Sequence, residues 1–308
     1  MTKEVFSFPS ATGKHTLHGI CWQPEGAIRG IVQISHGMIE YVERYEPLAV
    51  YLTGRGFLVA GHDHVGHGQS VAGPEEWGHF GTNNGGETLV EDVHALTRRL
   101  REQFPGVPLF LLGHSMGSFV ARRYLMTYGA ELTGALVVGT GNQPTWQLLL
   151  GQALTSLLIA IHGDTYRSPF MAKLLFGLSN RRVPHPRTAC DWISKDEAIV
   201  DAYVNDPACT FLFTLNGYAN LFGLIRFVKK PAHNARIPRE LPIVLLAGAD
   251  DPVGSYGKAV RQVYQNWKRQ GIRDLTCKLY PQDRHEILNE TDRDAVYADI
   301  AAWLEQHL

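Results

Sequence analysis

A five-residue motif in the first half of the chain restricts the fold more than any other feature. Residues 113–117 read Gly-His-Ser-Met-Gly and lie between a buried apolar run and a helical pattern. A serine at the apex of such a sharp strand-to-helix turn has strained backbone angles, so Gly113 and Gly117 supply the small residues that the turn requires. The turn lifts the Ser115 hydroxyl above a sheet and points the first amides of the next helix at it. We therefore predict that Ser115 is a nucleophile. The alternative is a glycine-rich turn with an incidental serine.

The sequence around this motif alternates strand and helix patterns, which is typical of a largely parallel sheet flanked by helices. Runs that predict strands lie at 28–35, 57–62, 107–113, 132–139, 241–248 and 275–280. From about residue 143 to 237 no strand pattern occurs, and apolar helical segments separated by proline-containing loops replace it. We predict an α/β core formed by residues 1–141 and 236–308, with a helical lid inserted at 142–235.

A serine hydroxyl is a weak nucleophile unless a base accepts its proton, so the motif requires a histidine that a carboxylate orients. In a sheet of this kind the acid follows the serine along the chain and the histidine comes last, both on loops after strands. Of the 14 histidines, His285 meets this requirement because it follows the last strand pattern. We predict that His285 is the base.

Two neighbouring aspartates compete for the position of the acid. Asp250 and Asp251 both follow the strand pattern at 241–248. Pro252 fixes the backbone after Asp251 and would hold that side chain in one direction, which favours Asp251. Asp283 is a weaker candidate, because it lies two residues before His285 and is expected to shape that turn.

Acyl transfer also needs hydrogen-bond donors for the negatively charged oxygen of the intermediate. The backbone N–H of Met116, the residue after the nucleophile, is one expected donor. The other should come from the loop after the early strand, which reads His36-Gly37-Met38. Gly37 lets this loop turn with its amides facing inward, so we assign the second donor to the N–H of Met38.

The glycine-rich segment 63–70, Asp-His-Val-Gly-His-Gly-Gln-Ser, looks at first like a metal cluster. Metal sites usually draw their ligands from several elements in a fixed geometry, whereas this segment is one loop. We predict a rigid loop beside the active site and no metal.

Composition excludes other classes of protein. The formal net charge is -1, with 29 Lys and Arg against 30 Asp and Glu, so no global field attracts nucleic acid. The four cysteines lie far apart without a C-x-x-C pair, which argues against a zinc site and against a disulfide framework. The first residues contain no apolar run of the signal-peptide type. We expect a cytoplasmic protein.

Together these motifs resemble the α/β-hydrolase superfamily, and within it the monoacylglycerol lipase and lysophospholipase group, which lies close to the serine aminopeptidases of type S33. The resemblance spans nearly the whole chain and is carried by His36-Gly37, 43–45, 63–70, Gly113-His114-Ser115-Met116-Gly117, 251–253 and 285–286. It implies an α/β-hydrolase fold without a cofactor, and it favours Asp251, because the similar element G-x-x-D-x-V carries the acid at that position. A segment at 188–207 resembles lid sequences of bacterial members, and we assign it no chemical role.

The resemblance implies a serine esterase that cleaves a monoacylglycerol or a lysophospholipid. The lid is rich in Leu, Phe, Ile, Met and Trp, which predicts an acyl channel and transient contact with a membrane or micelle.

Two other functions stay open. An aminopeptidase of the proline-iminopeptidase type would need lid carboxylates for the substrate ammonium, and the candidates are Asp191, Asp196, Glu197 and Asp201. A ligand-binding receptor could keep the fold without turnover. The sequence does not indicate an oligomeric state.

Overall fold

The computed structural model describes residues 1–82 and 84–308. Its centre is an eight-stranded sheet with the strand order β1-β2-β4-β3-β5-β6-β7-β8. The strands are β1 (Thr2–Pro9), β2 (Thr16–Gln23), β3 (Gly30–Ser35), β4 (Phe57–His62), β5 (Leu109–His114), β6 (Gly134–Val138), β7 (Ile243–Gly248) and β8 (Leu275–Tyr280). From β4 to β8 all neighbouring strands are parallel. The predicted α/β class is confirmed.

Helices cover both faces of this sheet, which explains why β3 to β7 are buried along their whole length. The helices are α1 (Glu46–Thr53), α2 (Gly85–Gln103), α3 (Met116–Tyr128), α4 (Thr145–His162), α5 (Pro169–Phe176), α6 (Glu197–Asn205), α7 (Leu215–Lys229), α8 (Pro231–Asn234), α9 (Lys258–Arg269) and α10 (Arg293–Gln306). Helices α2, α3, α7 and α9 contribute to the core on one face, and α1 and α10 to the core on the other.

The N-terminal hairpin is the element that the strand patterns did not predict. β1 pairs antiparallel with β2, and β2 pairs antiparallel with β4. β1 is an edge strand in which only Phe8 is buried and Phe6 is half-buried, so its apolar alternation covers two positions, which is too short to predict a strand.

Helices α4 to α8 lie between β6 and β7, in the segment for which we predicted a lid. α7 packs against α2, α3 and α4 and so joins this segment to the core. Among the described residues, α4 alone is long and apolar enough to cross a bilayer by length and composition, and only 17% of it is buried. The division into a core and a lid with these boundaries stays a prediction.

Candidate active site

Ser115 lies at the tight turn between β5 and α3, with φ +53° and ψ −116°. This left-handed backbone conformation is strained for a residue with a side chain, and the close packing around the turn maintains it. A Cβ atom on Gly117 would lie 1.9 Å from the carbonyl oxygen of Ser35, and one on Gly113 would lie 2.3 Å from that of Gly117. Both glycines are therefore required by close backbone contact.

The structure brings His285 and Asp251 to Ser115. His285 Nε2 lies 2.8 Å from Ser115 Oγ, and His285 Nδ1 lies 3.0 Å from Asp251 Oδ1. The second contact is close but is not aligned as a hydrogen bond. Asp251 is fully buried and accepts a 2.8 Å hydrogen bond from the N–H of Val253, whereas Asp250 is exposed. The geometry therefore places Asp251, and not Asp250, behind the histidine.

The N–H groups of Met38 and Met116 have no hydrogen-bond acceptor within residues 1–82 and 84–308. His36 orients the first of them. Its Nε2 accepts a 2.8 Å hydrogen bond from the N–H of His64, so its Nδ1 carries the proton and donates to the carbonyl of Gly37. Because the peptide group is planar and trans, fixing this carbonyl points the N–H of Met38 in the opposite direction.

The loop 63–70 supports the same region. The carboxylate of Asp63 accepts 2.8 Å hydrogen bonds from the N–H groups of Val42 and Gln69, so it links the loop to the chain after β3. His64 Nε2 lies 2.9 Å from the hydroxyl of Ser35. The loop therefore holds the end of β3 from which Met38 follows.

A buried carboxylate, Glu40, lies behind the Ser115 turn and the Met38 loop. Its Oε1 accepts hydrogen bonds from the N–H of Gly37 at 2.5 Å, from the hydroxyl of Tyr45 at 2.9 Å and from Nδ1 of His114 at 3.1 Å. Its Oε2 accepts one from Arg44 at 3.1 Å. Burial would raise the pKa of Glu40, but the hydrogen bond and charge of His114 and the charge of Arg44 outweigh burial and lower it.

Arg44 extends this network to the loop that carries His285. Its two terminal nitrogens donate to the two carboxylate oxygens of Glu286 at 2.9 and 2.8 Å. Glu286 follows His285 in the chain, so the Arg44–Glu286 pair ties Glu40 to the His285 loop. Sequence reasoning missed the roles of Glu40, Arg44 and Glu286. The signal available in the sequence was a Glu and an Arg four residues apart, Glu40 and Arg44, directly after the Met38 loop, which is a spacing typical of an ion pair.

The segment 188–207, to which we assigned no chemical role, contacts the same histidine loop through its residues before α6. The carbonyls of Trp192 and Ile193 accept hydrogen bonds from the N–H groups of His285 at 3.3 Å and Glu286 at 2.7 Å. Lys195 Nζ lies 2.6 Å from the buried carboxylate of Asp283. The ring centroids of Trp192 and His285 are 5.1 Å apart. The segment therefore supports the backbone on both sides of His285.

Ser115 and His285 line a cavity of about 970 Å³ between the sheet and helices α4 to α7. The other lining side chains are mainly apolar and include Met38, Phe119, Leu148, Phe176, Trp192, Phe211, Leu221, Phe222 and Ile225. The cavity lies at the upper end of the usual range of ligand pockets, about 300–1,000 Å³. The arrangement fits a nucleophile that acts on a large apolar ligand.

The four lid carboxylates considered for an aminopeptidase do not line this cavity. Asp191 accepts a hydrogen bond from the N–H of Thr188, and Asp196 accepts one from the N–H of Ala198 at the start of α6. The carboxylates of Glu197 and Asp201 lie 3.5 and 3.1 Å from guanidinium nitrogens of Arg187. The acidic residues that do line the cavity are Glu40 and Glu286, and each of them forms an ion pair with Arg44.

Comparison with known proteins gives consistent matches over almost the whole chain. The family model described as serine aminopeptidase, S33 (Hydrolase_4) matches residues 26–292. Monoglyceride lipase of Mus musculus is 29% identical over 294 residues, which cover 93% of this chain and 86% of that protein. Monoacylglycerol lipase of Mycolicibacterium smegmatis is 26% identical, with 100% of this chain and 99% of that protein covered. The solved structure of a highly thermostable carboxyl esterase from Bacillus coagulans, in complex with glycerol, has a TM-score of 0.92 at 33% identity, with 99% of both chains covered.

Proposed function

This chain belongs to the serine aminopeptidase S33 family of α/β hydrolases, and we propose that it cleaves lipid esters. The proposed substrate is a monoacylglycerol or a lysophospholipid, and the proposed reaction passes through an acyl-enzyme on Ser115. The expected resemblance to this family and to the monoglyceride lipases is confirmed, and the chain is a carboxylic ester hydrolase. The acyl-enzyme, the triad and the lipid specificity are our proposal.

One observation carries the proposal: the hydrogen-bonded pair Ser115–His285 lies in a large cavity whose walls are mainly apolar. An apolar wall stabilises an acyl chain by burying it and offers little to a charged or strongly hydrated substrate. The monoglyceride lipases of mouse and of a mycobacterium, to which the chain is similar over more than 90% of its length, support the same substrate class.

The proposed reaction begins when Ser115 Oγ attacks the ester carbonyl while His285 Nε2 accepts its proton. Asp251, held beside Nδ1, stabilises the imidazolium that forms. The free N–H groups of Met38 and Met116 stabilise the negative charge on the carbonyl oxygen. His285 then protonates the leaving alcohol, and afterwards it activates the water that releases the fatty acid.

The aminopeptidase alternative lacks a cation-binding group in the cavity. The carboxylates that line it among the described residues are both paired with Arg44, and the lid carboxylates face other partners. The geometry therefore supports ester hydrolysis over aminopeptidase activity.

We also propose, as the lid composition predicted, that helices α4 and α5 make transient contact with a membrane or micelle, because their apolar side chains are largely exposed. The cytoplasmic location stays a prediction.

The test is a panel of initial rates with short and long p-nitrophenyl esters, a monoacylglycerol, a lysophosphatidylcholine and a prolyl amide. We expect long-chain esters and one of the two lipids to be the best substrates, with rates that rise above the critical micelle concentration. Ser115→Ala should be inactive, whereas Ser7→Ala, a matched change on the exposed edge strand, should keep full activity. A preference for the acetate ester or for the amide would contradict the lipid proposal, and activity in Ser115→Ala would contradict the nucleophile.

A further inference from the structure

Exposed apolar side chains are concentrated in one stretch of the chain. Of the thirteen large apolar residues that are exposed among those described, nine lie between residues 146 and 178. They are Trp146, Leu149, Leu150, Leu157, Ile161, Tyr166, Phe170, Leu174 and Leu178. Four of these residues, Trp146, Leu150, Leu174 and Leu178, also line the cavity that contains Ser115, so they surround its opening. Clustered exposed apolar side chains mark an interaction site.

Positive charge is concentrated in the same stretch. Residues 145–188 contain five basic residues, Arg167, Lys173, Arg181, Arg182 and Arg187, and one acidic residue, Asp164. The formal charge of this stretch is therefore +4 in a chain whose total is -1. Charge of this sign on an otherwise weakly acidic protein attracts a negatively charged surface.

Three of these cations are both exposed and without a carboxylate partner among the described residues. Lys173, Arg181 and Arg182 are exposed and form no ion pair with any residue in 1–82 or 84–308. Lys173 and Arg181 line the cavity opening. The guanidinium carbon of Arg182 lies 3.7 Å from the ring centroid of Tyr256, which also lines the cavity. The face around the opening therefore combines exposed apolar side chains with uncompensated positive charge.

We propose that this face docks on an anionic phospholipid bilayer. In this arrangement Trp146, Leu174 and Leu178 enter the boundary between headgroups and acyl chains, while Lys173, Arg181 and Arg182 contact lipid phosphates. The apolar side chains by themselves fit any lipid surface, and the unpaired cations select an acidic one. The proposal rests on the proposed function, because it names the surface from which the lipid ester enters the cavity.

Vesicle flotation tests this partner. The protein carries Ser115→Ala so that turnover does not alter the lipid, and the vesicles contain phosphatidylcholine alone or with about one third phosphatidylglycerol. Each cation near an acidic surface contributes about 1 kcal/mol, or roughly a fivefold change in partitioning. We expect tight, salt-sensitive binding to the acidic vesicles, and we expect the triple variant K173Q/R181Q/R182Q to lose about 100-fold of it.

A matched triple variant, R98Q/R236Q/K268Q, removes the same charge at exposed positions outside this stretch and should bind acidic vesicles almost as well as the parent. Equal binding of the parent to neutral and acidic vesicles would overturn the anionic partner but leave the proposed lipid esterase intact. If the two triple variants lost the same affinity for acidic vesicles, the assignment of this face as the docking site would also be overturned. Binding to neither vesicle, with a dimer in sedimentation that Leu178→Ser dissociates, would instead assign the face to a second copy of the chain.

Discussion

Nδ1 of His114 donates a hydrogen bond to Oε1 of Glu40 across 3.1 Å, in a region where both side chains are almost fully buried. Burial would lower the pKa of His114, but its hydrogen bond to Glu40 and the charge of Glu40 outweigh burial and raise it. His114 precedes Ser115 in the chain, and the same oxygen of Glu40 accepts a hydrogen bond from the N–H of Gly37. One carboxylate thus connects the Ser115 turn to the loop of the Met38 amide.

Glu40→Gln should therefore weaken both stability and catalysis. The change replaces a buried carboxylate that accepts four hydrogen bonds with a neutral amide, and losing a hydrogen bond to a charged group typically costs about 1.5–3 kcal/mol. We expect the free energy of unfolding in urea to fall by about that amount, and kcat on a soluble ester to fall with it. Glu43→Gln, which removes a more exposed carboxylate paired with Lys3, should change either quantity little. Equal effects of the two variants would refute the special role of Glu40.

Asp251→Asn should cost far more activity than Asp250→Asn. Replacing the buried aspartate of a serine-hydrolase triad lowers kcat by about 10⁴-fold, because the histidine loses its orientation and the imidazolium loses its partner. Asp250 is exposed, so its amide variant should keep kcat within a few-fold. Steady-state rates of the two variants on one soluble ester decide between them, and the reverse order would move the acid by one residue.

Gly37→Ala should abolish most activity although it adds only one methyl group. A Cβ at this position would lie 2.4 Å from Oε1 of Glu40 and 3.1 Å from Cβ of Ser115. The loop must shift to relieve this contact, which displaces the Met38 N–H, and losing one oxyanion donor costs about 10²–10³-fold in kcat. Gly26→Ala is the control, because a Cβ there meets no atom within 4 Å. Normal rates in Gly37→Ala would show that the loop tolerates the shift.

Lys195→Met tests the support that the lid segment gives to the histidine loop. The variant leaves the buried carboxylate of Asp283 without its cation, which should lower the free energy of unfolding by about 2 kcal/mol. Because the loop carries His285, kcat should fall more than KM changes, and Lys195→Arg should restore part of it. Lys14→Met, an exposed change on the N-terminal hairpin, should leave both constants unchanged. A change in KM alone would place Lys195 in substrate binding.

Acid should destabilise the protein through four buried histidines, His36, His62, His64 and His67. Burial lowers the pKa of each, to about 3 for His36 and His62 and to about 4 for His67. An unfolded chain protonates these rings near pH 6.5 while the folded state does not, so stability is full above that pH and falls as the pH drops towards 4.

The pH slope can be assigned to a single ring by substitution. Neither ring nitrogen of His62 has a hydrogen-bond partner among the described residues, so His62→Leu removes one titrating group without breaking a bond. We expect the slope of unfolding free energy between pH 6 and 5 to decrease by about 1.4 kcal/mol per unit. The exposed His162→Gln should leave the slope unchanged. An unaltered slope in His62→Leu would contradict a neutral buried ring.

The sequence by itself determined the local parts of this protein. The Gly-His-Ser-Met-Gly turn, the strand-and-helix order and the late loop of His285 follow from short-range sterics and from the periodicity of buried side chains, which neighbouring residues encode. The edge strand β1 escaped prediction for the same reason, because only Phe6 and Phe8 alternate towards the core in this mostly exposed strand.

The tertiary structure decided which residues meet over long distances in the chain. Asp250 and Asp251 are nearly equivalent in sequence, and only the packing of the loop buries one of them behind His285. The links from Arg44 to Glu286 and from Lys195 to Asp283 join residues 242 and 88 positions apart. Such pairs have no local pattern, because their stabilisation depends on burial and geometry that exist only when the sheet and the helices around it have assembled.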